Sequence, residues 1–142
     1  MAAANRQDIL QYLAQHDIHV NADMPMVWAE KDTRGLGAAL GAFAQLAGSR
    51  YFVAVFTPER LILVRMTLGG KINAEEPFIV FDSATTKVTM KKMFLNMQYL
   101  TVLRTEDGHR MKLLASNAKG VEKREFNRSS EVKEMLGLQD RQ

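Results

Sequence analysis

The chain has no cysteine, three prolines and one tryptophan among its 142 residues. Without cysteine, disulfides, thiol catalysis, thiolate zinc sites and iron–sulfur clusters are excluded. The lack also fits a reducing compartment. No apolar run reaches the ~18–20 residues that span a bilayer. The longest uncharged stretch, residues 35–49, is shorter than that and rich in glycine. The opening MAAANRQDILQYL lacks a basic start followed by a long apolar run, so it does not read as a secretory signal. Charge of one sign is scarce as well: 19 basic against 16 acidic residues, a net of +3.

What is present is an average globular composition, 46% hydrophobic and 25% charged. A chain of this length forms one ordinary domain and buries roughly two thirds of its unfolded surface, so it needs no metal or disulfide to fold. The expectation is a soluble cytoplasmic protein. The small net charge is unevenly spread. Residues 1–48 carry three basic and five acidic groups, residues 49–115 ten and six, and residues 116–142 six and five. An anionic partner should therefore meet the middle of the chain.

Residues 5–16 place Ile9, Leu10, Tyr12 and Leu13 near helical spacing, which predicts a short amphipathic helix. A polar connector leads to a first strand over residues 24–31, with Pro25 at its start and Trp28 as its largest side chain. Residues 35–48 (GLGAALGAFAQLAG) set Leu36, Leu40, Phe43 and Leu46 on a helical stripe. Four glycines weaken that stripe by about 1 kcal/mol each relative to alanine, which predicts a loose helix or a closely packed turn.

Residues 51–57 and 60–66 (YFVAVFT, RLILVRM) are two strand-length runs around Pro58-Glu59, and they predict a hairpin. With those two residues as the loop, one face reads Tyr51, Val53, Val55, Ile62, Val64, Met66. The other reads Phe52, Ala54, Phe56, Leu61, Leu63, with Arg65 at its end. Both faces are apolar, whereas an antiparallel sheet commonly shows water one polar face. Something must cover each side, a helix of this chain or a second copy. Short strands follow at residues 78–81 and 85–91, interrupted at Asp82-Ser83-Ala84. Residues 94–104 and 109–115 form a second hairpin. Leu103 can face Met111 only across an odd loop, which Glu106-Asp107-Gly108 supplies. A closing helix is expected over residues 127–138.

The local segment FVAVFTPERLIL, residues 52–63, carries an apolar strand, a threonine, a two-residue turn, an arginine and another apolar strand. Together with PFIVFD at residues 77–82, followed by Thr86-Lys87-Val88, it resembles the pleckstrin-homology-like superfold in its bacterial, GRAM-like version. The resemblance spans residues 24–138. It implies a mainly β (α+β) fold: a bent antiparallel sheet or partly open barrel with a C-terminal capping helix. Residues 1–23 become an N-terminal helical extension and residues 24–142 the domain. It also implies an interaction or assembly module and not a catalyst, although fold alone does not choose a function.

The residues agree with a non-enzymatic reading. His16 and His19, spaced i, i+3, supply two of the three or four ligands a metal needs. His109 belongs to a turn, and the carboxylate pairs Glu75-Glu76 and Glu106-Asp107 lie in loops with nothing to force their burial. The glycines of residues 34–40 lack the dinucleotide fingerprint. No metal or other cofactor is expected. Two surfaces stand out. Leu36, Leu40, Phe43 and Leu46 are candidates for self-association, covering the hairpin, or alternatively for contact with an anionic membrane between Arg34 and Arg50. Lys31, Arg34, Arg50, Lys87, Lys91, Arg104, Arg110 and Lys112 are candidates for an anionic partner, with a solvated sheet face as the plain alternative. Nucleic acid is disfavoured, because the basic positions lack aromatic platforms. The expected function is a self-associating, non-catalytic interaction module with protein partners. A peripheral membrane binder is the alternative, and a small enzyme or ligand carrier is more remote.

Overall fold

The computed structural model describes residues 4–31, 50–57, 59–67, 69–75, 78–92, 98–106 and 110–116. They form one helix, α1 (Arg6–Ala14), and seven strands: β1 (Met26–Lys31), β2 (Tyr51–Phe56), β3 (Arg60–Met66), β4 (Ile79–Asp82), β5 (Thr86–Lys92), β6 (Gln98–Thr105) and β7 (Arg110–Ser116). All pairings are antiparallel, in the order β4-β3-β2-β1-β7-β6-β5. The fold is mainly β, as expected.

The edge strands of this sheet are β4 and β5, yet they are consecutive in the chain. Ser83, Ala84 and Thr85 alone join them. Laid flat, seven strands at about 4.8 Å spacing would hold the edges about 29 Å apart. The four Cα steps from Asp82 to Thr86 reach at most about 15 Å. The sheet must therefore curl until its edges approach. The link is a tight turn: the Asp82 carboxylate accepts from the Ala84 amide at 2.9 Å and the Asp82 carbonyl from the Thr85 amide at 3.0 Å. Asp is suited to this position because its side chain mimics a backbone turn.

Curling gives the sheet an inner and an outer face, and alternation assigns the side chains. The inner cluster draws on all seven strands: Val27 and Ala29, Phe52, Ala54 and Phe56, Leu61 and Leu63, Ile79 and Phe81, Met90, Leu103, and Met111 with Leu113. The first hairpin pairs Val55 with Ile62 and Val53 with Val64, the register of a two-residue loop. The Thr57 amide donates to the Arg60 carbonyl at 2.9 Å to close it. The second hairpin pairs Leu103 with Met111, the register of an odd loop.

The outer face of β2–β3 is apolar too, and α1 covers it. Ile9, Tyr12 and Leu13, at i, i+3 and i+4, pack with Met26, Val53, Val55, Ile62, Val64 and Met66. Ile9 and Leu13 are wholly buried. Each such side chain contributes about 1.5–3 kcal/mol by leaving water. The helix begins in a capping box, in which Asn5 Oδ1 accepts from the Asp8 amide and Asp8 Oδ2 from the Asn5 amide, both at 2.9 Å. It ends as a Schellman turn. The Ile18 amide donates to the Leu13 carbonyl and the Asp17 amide to the Ala14 carbonyl, with Asp17 left-handed at φ 63°. Further ties hold the helix down: the Ala4 amide donates to the Gly70 carbonyl at 2.8 Å, and Arg6 Nη2 to the Met24 carbonyl at 2.6 Å. Phe78 closes the end of the helix with edge-on contacts to Tyr12 and His16.

The loose helix expected at residues 35–48 and the closing helix expected at residues 127–138 lie outside the described residues. No described helix is long and apolar enough to cross a membrane.

Two outcomes follow from the seating of α1. Leu13→Ala should lower the unfolding free energy by about 2–4 kcal/mol in urea, the range for emptying a buried leucine site. An unchanged midpoint would mean that α1 does not share the core. Burial, partly offset by the Arg65 charge, raises the Tyr12 phenol above its ordinary 10.0. The folded state thus holds this proton more tightly than the unfolded chain does. Its contribution is intact below pH 10 and falls as pH rises above that value. As pH rises above 10, Tyr12→Phe should lose less stability than the native chain. Parallel pH curves would contradict the assignment.

Candidate anionic-partner site

The outer face of β5–β7 differs in chemistry from that of β2–β3. Alternation sends Val88, Leu103 and Met111 inward, so their neighbours Lys87, Arg104 and Arg110 turn outward. The register then aligns these three. Lys87 lies directly opposite Arg104, and Arg104 directly opposite Arg110. All three are exposed. The next outward row is Thr89, Val102 and Lys112, of which Val102 is buried and Thr89 and Lys112 are half-buried, so the open part of this face is the Lys87–Arg104–Arg110 row. Lys91 pairs in register with Leu100, one row further.

Three cations in direct cross-strand succession repel one another, and like charges so placed destabilise a sheet. None of the three makes an ion pair with a described residue. Glu106, beyond the end of β6, is exposed. Lysine on an edge strand is a common device against sheet-to-sheet aggregation, which accounts for Lys87 on β5. It does not account for Arg104, whose strand is paired on both sides at this position.

The remaining basic candidates do not join this row. Arg50 is committed to Glu30: its Nε donates to Glu30 Oε1 at 2.8 Å and its Nη2 lies 2.7 Å from the same oxygen. That hydrogen bond first, and the opposite charge second, raise the Arg50 pKa. The guanidinium also sits 5.4 Å from the centre of the Tyr51 ring, which stacks on Trp28 at 6.0 Å. Lys31 follows Ala29 on the inner side of β1, opposite Leu113, and burial lowers its pKa. Arg50 and Lys31 meet at the end of the β1–β2 pairing, where the Lys31 amide donates to the Arg50 carbonyl at 2.8 Å, away from the Lys87–Arg104–Arg110 row. Arg34 lies outside the described residues, as do Leu36, Leu40, Phe43 and Leu46.

The hairpin face that the glycine–alanine segment was expected to cover is filled by α1. Val80, 39% exposed on β4, is the one large apolar side chain exposed among the described residues. A surface groove of about 260 Å³ went unforeseen. Asp17, Ile18, His19 and Val20 meet Thr57, Glu59, Arg60 and Ile62 there. Its walls come from a helix end and a hairpin turn, two segments with no shared sequence pattern. No three histidines or carboxylates gather among the described residues in a way that could hold a metal.

The strain in the cation row is measurable. Arg104→Gln should raise the melting temperature at about 10 mM salt, where the Debye length is about 30 Å, and the gain should shrink at about 1 M, where it is about 3 Å. A lower melting temperature at low salt would show that Arg104 holds a stabilising contact instead.

No protein-family model matches the chain, and neither a curated protein nor a solved structure matches it.

Proposed function

We propose that the chain is a non-catalytic interaction module of pleckstrin-homology-like architecture, and that its anionic partner docks on the outer face of β5–β7. The observation that carries this is the exposed row Lys87–Arg104–Arg110. A like-charge row costs stability in the free protein. An anion laid across it removes that cost and adds charge-assisted hydrogen bonds. The row contains neither a carboxylate nor an imidazole, so it has no group that exchanges protons near neutrality. It is built to hold an anion.

The architectural part draws support from the antiparallel order with its edges joined by a turn, and from the local pattern of residues 52–63. Self-association rests on Leu36, Leu40, Phe43 and Leu46 and is carried by the sequence alone. With α1 on the outer face of β2–β3, that face needs no second copy to cover it.

The test compares the native chain with the triple variant Lys87→Gln, Arg104→Gln, Arg110→Gln. Polyglutamate and vesicles containing phosphatidylserine serve as probes, at about 50 and 200 mM salt. The native chain should bind at least one probe, more weakly at the higher salt, and the variant should lose at least tenfold in affinity. A native chain that binds neither probe, or a variant that binds as well, overturns the proposal.

A further inference from the structure

We infer that the partner of the Lys87–Arg104–Arg110 row is an acidic helix of another protein, one that presents carboxylates at i, i+4 and i+7 along one face. The inference rests on the reading of this face as the anionic-partner surface.

The spacing selects the helix. Adjacent strands lie about 4.8 Å apart, so the two steps from β5 to β7 carry the row across about 10 Å. On a helix, residues three and four apart have Cβ atoms about 5–6 Å apart, and i to i+7 spans about 10.5 Å at 1.5 Å rise per residue. Three carboxylates at i, i+4 and i+7 therefore meet three cations in turn. An extended peptide spaces its same-face side chains at about 6.6 Å and covers about 13 Å over i, i+2 and i+4. It falls out of step by the third pair. The docked helix would lie across the strands, along the row.

The chemistry of the row favours carboxylates. Two of its three members are arginines, whose planar forks take both oxygens of a carboxylate. The rigid sheet holds their backbones in register, so docking orders only the side chains.

Other polyanions fit less well. A membrane-binding surface normally sends apolar side chains into the interface. Among the described residues the one large apolar side chain exposed is the single Val80 on β4, which alone does not form an apolar insertion face. Single-stranded nucleic acid stacks its bases on aromatic platforms. In their whole length β5, β6 and β7 carry one aromatic residue, Tyr99.

The experiment titrates the full chain into labelled, helix-stapled peptides by fluorescence anisotropy at about 50 mM salt. One peptide carries three glutamates at i, i+4 and i+7. A second has the same composition with the glutamates distributed around the helix. Phosphatidylserine vesicles and a single-stranded oligonucleotide complete the set. The striped peptide should bind about tenfold more tightly than its isomer. Arg104→Gln should lose that preference while its thermal melt shows an intact fold, and Arg104→Lys should recover part of it. Equal binding of the two peptides overturns the inference. So does tighter binding of vesicles or oligonucleotide through the same three residues, an outcome that leaves the broader anionic-partner reading in place. If no probe responds to the substitutions, both readings fall together.

Discussion

Everything in this fold depends on the three residues between β4 and β5. They join the two edges of a seven-stranded sheet, and their short reach forces the sheet to curl. Once it curls, alternation along each strand becomes a choice between inside and outside. All seven strands contribute to the inner cluster, from Val27 on β1 to Leu113 on β7. A slip of one residue in any register would exchange the two sets. The polar side chain of Asp82 secures the turn, so a local hydrogen bond supports a global shape.

The outside is handled in two ways. Over β2–β3 it is apolar and needs a lid, and α1 provides one through Ile9, Tyr12 and Leu13. Over β5–β7 its exposed end carries Lys87, Arg104 and Arg110 in line, with buried Val102 in the row beside them. At the junction of the halves, Glu30 on β1 neutralises Arg50. Glu30 pairs with Arg50, whereas Lys87, Arg104 and Arg110 make no ion pair among the described residues. That contrast within one sheet is what gives the row its functional weight.

Much of this was legible in the residues. Branched and aromatic runs marked the strands, and the parity of Leu103 against Met111 set the odd loop of the second hairpin. The two faces of the first hairpin were readable side chain by side chain. The pattern showed that both faces need cover but could not show which segment supplies it. Residues 35–48 carry a more conspicuous apolar stripe than α1, whose seat depends on contacts made with residues far along the chain. The capping box of Asn5 and Asp8 was a local signal pointing to α1. Arg104 opposite Arg110 follows from hairpin parity. Lys87 joins them only through the β5–β6 register, which crosses residues 93–97 and leaves no mark in the sequence. The loss of Arg50 to Glu30 was equally hidden, since the two meet from different strands.

Among the described residues the seam between β1 and β7 consists of two residue pairs, Glu30 with Leu114 and Lys31 with Leu113. Those two pairs close a loop of 84 residues, the difference between positions 114 and 30. The hairpins on either side close far smaller ones. Ordering a long loop costs entropy before its contacts repay it, and pairings of high sequence separation form slowly. Sequence separation thus sets the local meanders β2–β4 and β5–β7 apart from the long-range β1–β7 seam. Either meander without that seam would leave its share of the inner apolar cluster in water, and uncovered apolar surface of this kind is what drives aggregation.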